Sequence, residues 1–276
     1  MKLLMIAMIM MGAITSKAGT SPLNKPNFGV LVSLGLVPDV TLQRKYGLNP
    51  DIDSGTDEDV WYGGGDYPWP AAAAATTVVS DNAADDAAGT GCLTVLVTGL
   101  NSDFETVAQV ATMDGVTPVA LATNLIRIES AKCTSSGTAQ SNVGTIDIKH
   151  GATIIGVMPP DEGTTLQCIY TVPAGHTWLI DTLTSGMMKK GSGTIVTHFE
   201  IKPFATQTWV SILQQGLDGA GSSTVNTVAN GGRFFPVPAK TDVRVRGTDP
   251  DTTNIAVVCN IAGILVADAF ISKAVY

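Results

Sequence analysis

Short alternations of apolar and polar residues, broken by Gly, Pro, Asn and Asp, dominate the chain. In CLTVLVTGL, Leu93, Val95 and Val97 fall on one side of an extended strand, and Thr94 and Thr98 on the other. The same period runs through TTVVS, FETVAQVATM, TPVALAT, LIRIESAKC, VGTIDIKH and ATIIGVMP, with Asp114-Gly115 and Gly151 as turns. This predicts about seven short strands over residues 76–160, a β-sandwich of Ig-like size. A second set follows over residues 161–276. TLQCIYTVPAGHTWLIDTL is two strands around Pro173-Ala174-Gly175, and TIVTHFEIKPF, QTWVSILQQGL, STVNTV, RFFPVPAKTDVRVRG and NIAVVCNIAGILVADAF continue it. About eight strands in that length suit a jelly roll or another Greek-key sandwich. The expected fold class is therefore all-β: an Ig-like unit, then a jelly-roll-like unit, with the boundary near MPPDEG.

The region before residue 76 reads differently. Residues 19–75 carry Pro22, Pro26, Pro38, Pro50, Pro68 and Pro70, a weak apolar run FGVLVSLGLV and an acidic knot DIDSGTDEDV. Little of it can bury a core of its own, so it is expected to be an extended arm with at most one short helix or strand. Residues 1–18 pair Lys2 with an apolar run from Leu3 to Ile14 and small residues ahead of a cut after Ala18. They are signal-like, or an apolar start assigned upstream of the true one.

Composition sharpens this picture. Charged residues make up only 14% of the 276, and the net charge of −8 argues against a nucleic-acid partner, which needs a basic face. The densest basic cluster, Arg233, Lys240, Arg244 and Arg246, is interrupted by acids. The cysteines Cys92, Cys133, Cys168 and Cys259 form no CxxC pair. In a secreted protein they allow two disulfides; in one folded in a cytoplasm, the reading adopted here, they are small buried hydrophobes.

Catalytic signatures are missing from the sequence. His150, His176 and His198 make no HExxH pair, and there is no GxSxG elbow and no phosphate-binding GxxxxGK[ST] loop. Asp51–Tyr62 lacks the Gly and Glu of an EF-hand. Asp85-Asp86 and Asp161-Glu162 read as solvated turn acids. No catalytic residue, cofactor or metal site is expected. The one concentrated feature is WYGGGDYPWP, where Trp61, Tyr62, Tyr67 and Trp69 supply a quarter of the sixteen aromatics. Aromatic rings bury large area at low entropic cost, so these four are read as interface anchors at a docking hinge between arm and barrel. Gly63–Gly65 would let the backbone bend there.

WYGGGDYPWP at 61–70, VVSDNAADDAAGTGCLTVLVTGLNSDF at 78–104, MDGVTPVAL at 113–121 and TLQCIYTVPAGHTWLI at 165–180 together resemble a family of phage virion structural proteins, over roughly residues 25–265. The resemblance implies a non-enzymatic, β-rich, oligomeric particle component: a capsid decoration (cement) or head-fibre protein attached by its N-terminal arm, or a tail-associated protein. The expected partners are further copies of the chain, in a trimer, and the major capsid or tail protein, with no nucleic acid and no membrane in the mature form. It also favours a start-site error over a signal at residues 1–18, since particles assemble in the host cytoplasm. The alternative from the residues alone is a secreted or cell-surface β-sandwich adhesin or carbohydrate-binding module.

Overall fold

A computed structural model of the chain describes residues 28–188, 193–218, 224–229, 235–248, 250–251 and 255–270. The signal-like segment 1–18 lies outside the described residues. The chain divides into two units, Met1–Pro38 and Asp39–Tyr276. In the first, α1 (Phe28–Ser33) ends at Gly35, whose φ of 67° suits a glycine. Gly35 N–H donates to the Val32 carbonyl and Leu36 N–H to that of Leu31, the paired closure of a Schellman motif.

The second unit is all-β, and its described strands form four antiparallel sheets. The seven strands expected over residues 76–160 are present as β3 (Thr76–Ser80), β4 (Cys92–Leu100), β5 (Thr106–Thr112), β6 (Val119–Ala120), β7 (Arg127–Ser136), β8 (Ile146–His150) and β9 (Thr153–Met158). The turn glycines Gly115 and Gly151 take φ of 56° and 60°. Eight strands follow: β10 (Ile169–Thr171), β11 (His176–Met188), β12 (Thr194–Lys202), β13 (Val210–Asp218), β14 (Thr224–Ala229), β15 (Phe235–Val237), β16 (Asp242–Thr248) and β17 (Ile255–Ala267).

Two expectations about the strands are corrected. The first is the strand order of residues 76–160. An Ig sandwich pairs its strands first-second-fifth-fourth and third-sixth-seventh. Here the sheets run β6-β3-β8-β9 and β5-β4-β7, so the first strand joins the fourth and sixth instead. Strand existence is written in local alternation, but pairing is not.

The second correction is the arm. Residues 40–52 form β1 (Val40–Ile52), which pairs antiparallel with β17 from Val40↔Val266 to Asn49↔Val257. The register then shifts before Ile52↔Ile255, and Pro50 falls in that irregularity, where a missing N–H breaks no ladder bond. A second short strand, β2 (Glu58–Asp59), pairs with β16. Gly47 allows this course: a Cβ there would collide with the Cys168 nitrogen and the Val60 carbonyl.

With β1 included, the two larger sheets run β1-β17-β11-β14 and β10-β16-β12-β13, with β15 beside β11 and β2 beside β16. Ile52, Trp178, Ile180, Val257 and Ile261 from one, and Tyr170, Ile195, Phe199, Val243 and Val245 from the other, share one core. The two smaller sheets share a second core of Val78, Val95, Val97, Ile128, Ile146, Ile148 and Met158, which also takes in Trp61, Tyr67 and Ile169.

The cysteines split. Cys92 and Cys133 are joined by a disulfide between neighbouring strands β4 and β7, correcting the reading of all four as free hydrophobes. Cys168 and Cys259 are free and buried in the larger core. Their residue types carried no signal that would separate the pairs.

Candidate functional site

The aromatic stretch sits where the two cores meet. Val60 belongs to the larger core and Trp61 to the smaller, because successive side chains of an extended segment point to opposite sides. The same holds for Cys168, Ile169 and Tyr170. The two segments lie side by side: Cys168 N–H donates to the Val60 carbonyl at 2.9 Å and Tyr62 N–H to that of Leu166 at 3.0 Å.

Trp61 and Tyr67 are buried, at 4% and 2% exposure, inside the chain's own core. Trp61 Nε1 donates to the Gly65 carbonyl at 3.1 Å and Tyr67 Oη to that of Ile155 at 3.0 Å. Burial pushes the Tyr67 phenol well above its ordinary value. A Cβ on Gly63 would strike the Trp61 ring, so this glycine admits the indole rather than merely bending the chain. Tyr62 and Trp69 are half-buried and pack against the same core. Of the four expected anchors, then, Trp61 and Tyr67 pin their own segment, and Trp69 is the one that reaches a cavity.

Charged groups tie this junction together. Asp59, fully buried, accepts from Tyr67 N–H at 2.9 Å and pairs with Arg244 at 3.2 Å and Arg246 at 3.3 Å. Burial raises its pKa to about 6, against the pull of the two arginines and the amide. Arg244 also meets Glu200 at 2.7 Å, and Arg246 meets Asp66. Two members of the basic cluster seen in the sequence are thus spent inside the fold.

A second buried site involves Lys45 on β1 and Glu129 on β7. Lys45 Nζ donates to the Glu129 carbonyl, and Thr171 N–H donates to Glu129 Oε1 at 3.2 Å. Glu129 Oε2 is buried without a partner among the described residues. Burial raises the Glu129 carboxyl to about 8 and lowers the Lys45 ammonium, each group being pulled back by the other's charge.

The cavity that Trp69 reaches has a volume of about 400 Å³ and lies between the two β sets. Trp69, Pro70, Phe104 and Arg127 line one side; Lys202, Phe204, Gln207, Lys240 and Asp242 line the other. Trp209 backs Trp69, with ring centroids 5.0 Å apart, and Phe104 meets Phe204 edge-on at 5.5 Å. Cations sit over these rings. Arg127 lies 5.3 Å from Trp69, Lys202 5.1 Å from both Trp69 and Trp209, and Lys240 5.4 Å from both Phe104 and Phe204. Asp242 accepts two bonds from Arg127 at 3.0 Å each and pairs with Lys202 at 3.0 Å. Sequence reasoning missed Phe104, Arg127, Lys202, Phe204 and Trp209, which are scattered along the chain and converge only through the fold.

Among the described residues no cluster of three or more His, Cys, Asp or Glu could hold a metal ion, and no helix is long and apolar enough to cross a membrane.

No protein-family model and no curated protein matches the chain. Among solved structures it is similar to infectious bursal disease virus of the Gx strain, at 7% identity and a TM-score of 0.21, covering 83% of this chain and 73% of that one. It is also similar to the virus of the Gt strain, at 10% identity and a TM-score of 0.17, covering 88% and 82%. A third likeness is to T=1 particles derived from infectious bursal virus, at 9% identity and a TM-score of 0.18, covering 83% and 74%. At these scores the likeness carries no argument about fold or role.

Proposed function

We propose that the chain is a non-enzymatic structural protein of a virus particle, capsid-associated as a decoration or head-fibre component, and that it self-associates. The carrying observation is the nested pairing of β1 with β17, β10 with β16, β11 with β14 and β12 with β13. This is a long antiparallel ribbon folded over on itself around one core, the plan of a jelly roll. Jelly rolls build viral capsid domains, though lectins and cupins use them too, so the fold alone does not choose. The resemblance to phage virion proteins favours the capsid reading, and two of its four quoted stretches lie at the buried junction: 61–70 carries Trp61 and Tyr67, and 165–180 carries β10. On this reading β3–β9 form a module inserted between the first and second ribbon strands, and the N-terminal residues attach the protein to the capsid.

Symmetric self-association is the usual state of such parts. Light scattering on the full-length chain tests it. A trimer of the 28.6 kDa chain is expected, and a monomer at every concentration contradicts the reading.

A second reading is a secreted β-sandwich adhesin, since the Cys92–Cys133 bond fits folding in an oxidising compartment rather than in a cytoplasm. Loss of residues 1–18 on intact mass, together with a monomer, would select it.

A further inference from the structure

We propose that the cleft lined by Trp69, Phe104, Phe204 and Lys240 is a binding site for an acidic saccharide, a sugar ring that carries a carboxylate. Its volume of about 400 Å³ lies in the range of roughly 300–1,000 Å³ typical of small-molecule sites. Two kinds of group converge there. Phe204, 50% exposed, offers apolar ring surface on which the C–H face of a sugar stacks, beside the half-buried Trp69. The cations offer charge: Arg127, Lys202 and Lys240 line the cleft against the single carboxylate of Asp242, a local excess of two positive charges on a chain of net charge −8.

One of those two charges has an identifiable owner. Arg127 and Lys202 are both committed to Asp242. Lys240 has no ion pair among the described residues and lies beside two phenyl rings instead. An ammonium left over aromatic faces, with an open cavity beside it, is a ready partner for an anionic group. Gln207 completes the lining with an amide that can meet a sugar hydroxyl. With Arg127 and Lys202 held on Asp242, Lys240 is the cation left for a ligand, and one such contact suits a singly charged sugar acid.

Backbone strain marks the same place. Among the described residues six non-glycine residues have positive φ, and three of them line this cleft: Phe104 at 66°, Gln207 at 52° and Lys240 at 60°. A bulky residue held there is costly, and such outliers gather at binding sites, where the surrounding fold holds a side chain in a set position.

The inference does not depend on the virion reading. Tryptophan fluorescence tests it, because Trp69 lines the cleft and Trp209 packs against it. Full-length protein is titrated with glucuronic acid and with N-acetylneuraminic acid, using glucose and AMP as controls. The expected result is a saturable change with at least one acid and little response to glucose. Lys240→Gln should weaken the acid by about tenfold, in line with the loss of one charge-assisted contact. Phe204→Ala, at an exposed position, should weaken it without lowering the melting temperature appreciably. The proposal is overturned by no saturable response to either acid, by an equal response to glucose, by tighter binding of AMP, or by wild-type affinity in both variants.

Discussion

Ile169 and Tyr170 are neighbours in β10, yet Ile169 is buried in the core of the two smaller sheets and Tyr170 in the core of the two larger ones. Strand geometry makes this possible, since consecutive side chains point to opposite faces. The peptide between them is common to both cores, so the cores should unfold together. Ile169→Ala removes a fully buried side chain and is expected to cost about 2–5 kcal/mol. Calorimetry should show one transition, shifted as a whole. Two transitions, only one of them moved, would show that the cores are independent.

Asp85 organises the β3–β4 loop. Its Oδ1 accepts from the amides of Cys92 at 2.7 Å and Val143 at 2.9 Å, and its Oδ2 from Ser80 Oγ at 2.7 Å and Gly144 N–H at 2.9 Å. Asp85→Ala leaves four donors without this acceptor in a buried place, and is expected to cost at least about 3 kcal/mol. Urea denaturation measures it; a loss within about 0.5 kcal/mol, the range of ordinary surface changes, would mean the carboxylate is dispensable.

How far these features could be read from the sequence depends on how local they are. The strands β3–β9 and β10–β17 were legible because alternation and turn glycines are short-range signals. β1 was not: Gly47, Pro50 and the exposed Leu42 and Tyr46 blur its pattern, and the strand that completes it, β17, lies at the other end of the chain. Asp85 was read as a solvated turn acid, because a loop carboxylate looks the same whether water or backbone amides surround it. The nearest hint was Gly91, where a Cβ would meet the Asp85 carboxylate. Of the cleft, the sequence offered Trp69 alone as an expected anchor; Lys240 was noted only within a basic cluster, and the other residues stand out only once the fold gathers them.

Glu129 gives the fold a pH dependence. Its carboxyl titrates at about 8 in the folded chain, against 4.5 as its ordinary value, because burial disfavours the charged form. Between those values the folded state keeps a proton that the unfolded state releases. Its contribution to stability is therefore complete below about pH 4.5 and is lost as pH rises towards 8. Glu129→Gln should flatten that decline and be well tolerated at pH 7. Melting curves from pH 5 to 9 check this; parallel curves for wild type and variant would contradict it.

The Cys92–Cys133 bond closes a loop with a sequence separation of 41. Reducing it, or making Cys133→Ser, is expected to lower stability by about 4 kcal/mol on the chain-entropy account. Melting with and without reductant measures the change. An unmoved midpoint in reductant, with two free thiols already present at Cys92 and Cys133 by mass, would show that the bond does not form.

The jelly-roll reading depends on β1 being the first strand of the folded ribbon, and hydrogen exchange on the native full-length chain tests this most directly. β1 is an edge strand, so its alternate amides, those that face β17, should exchange as slowly as the amides of β17 itself, in residues 40–49 as in 257–266. Exchange throughout residues 40–52 at the rate of an unstructured peptide would make this segment an arm after all. The larger unit would then lack its first strand, and the structural role proposed for the chain would lose the observation that carries it.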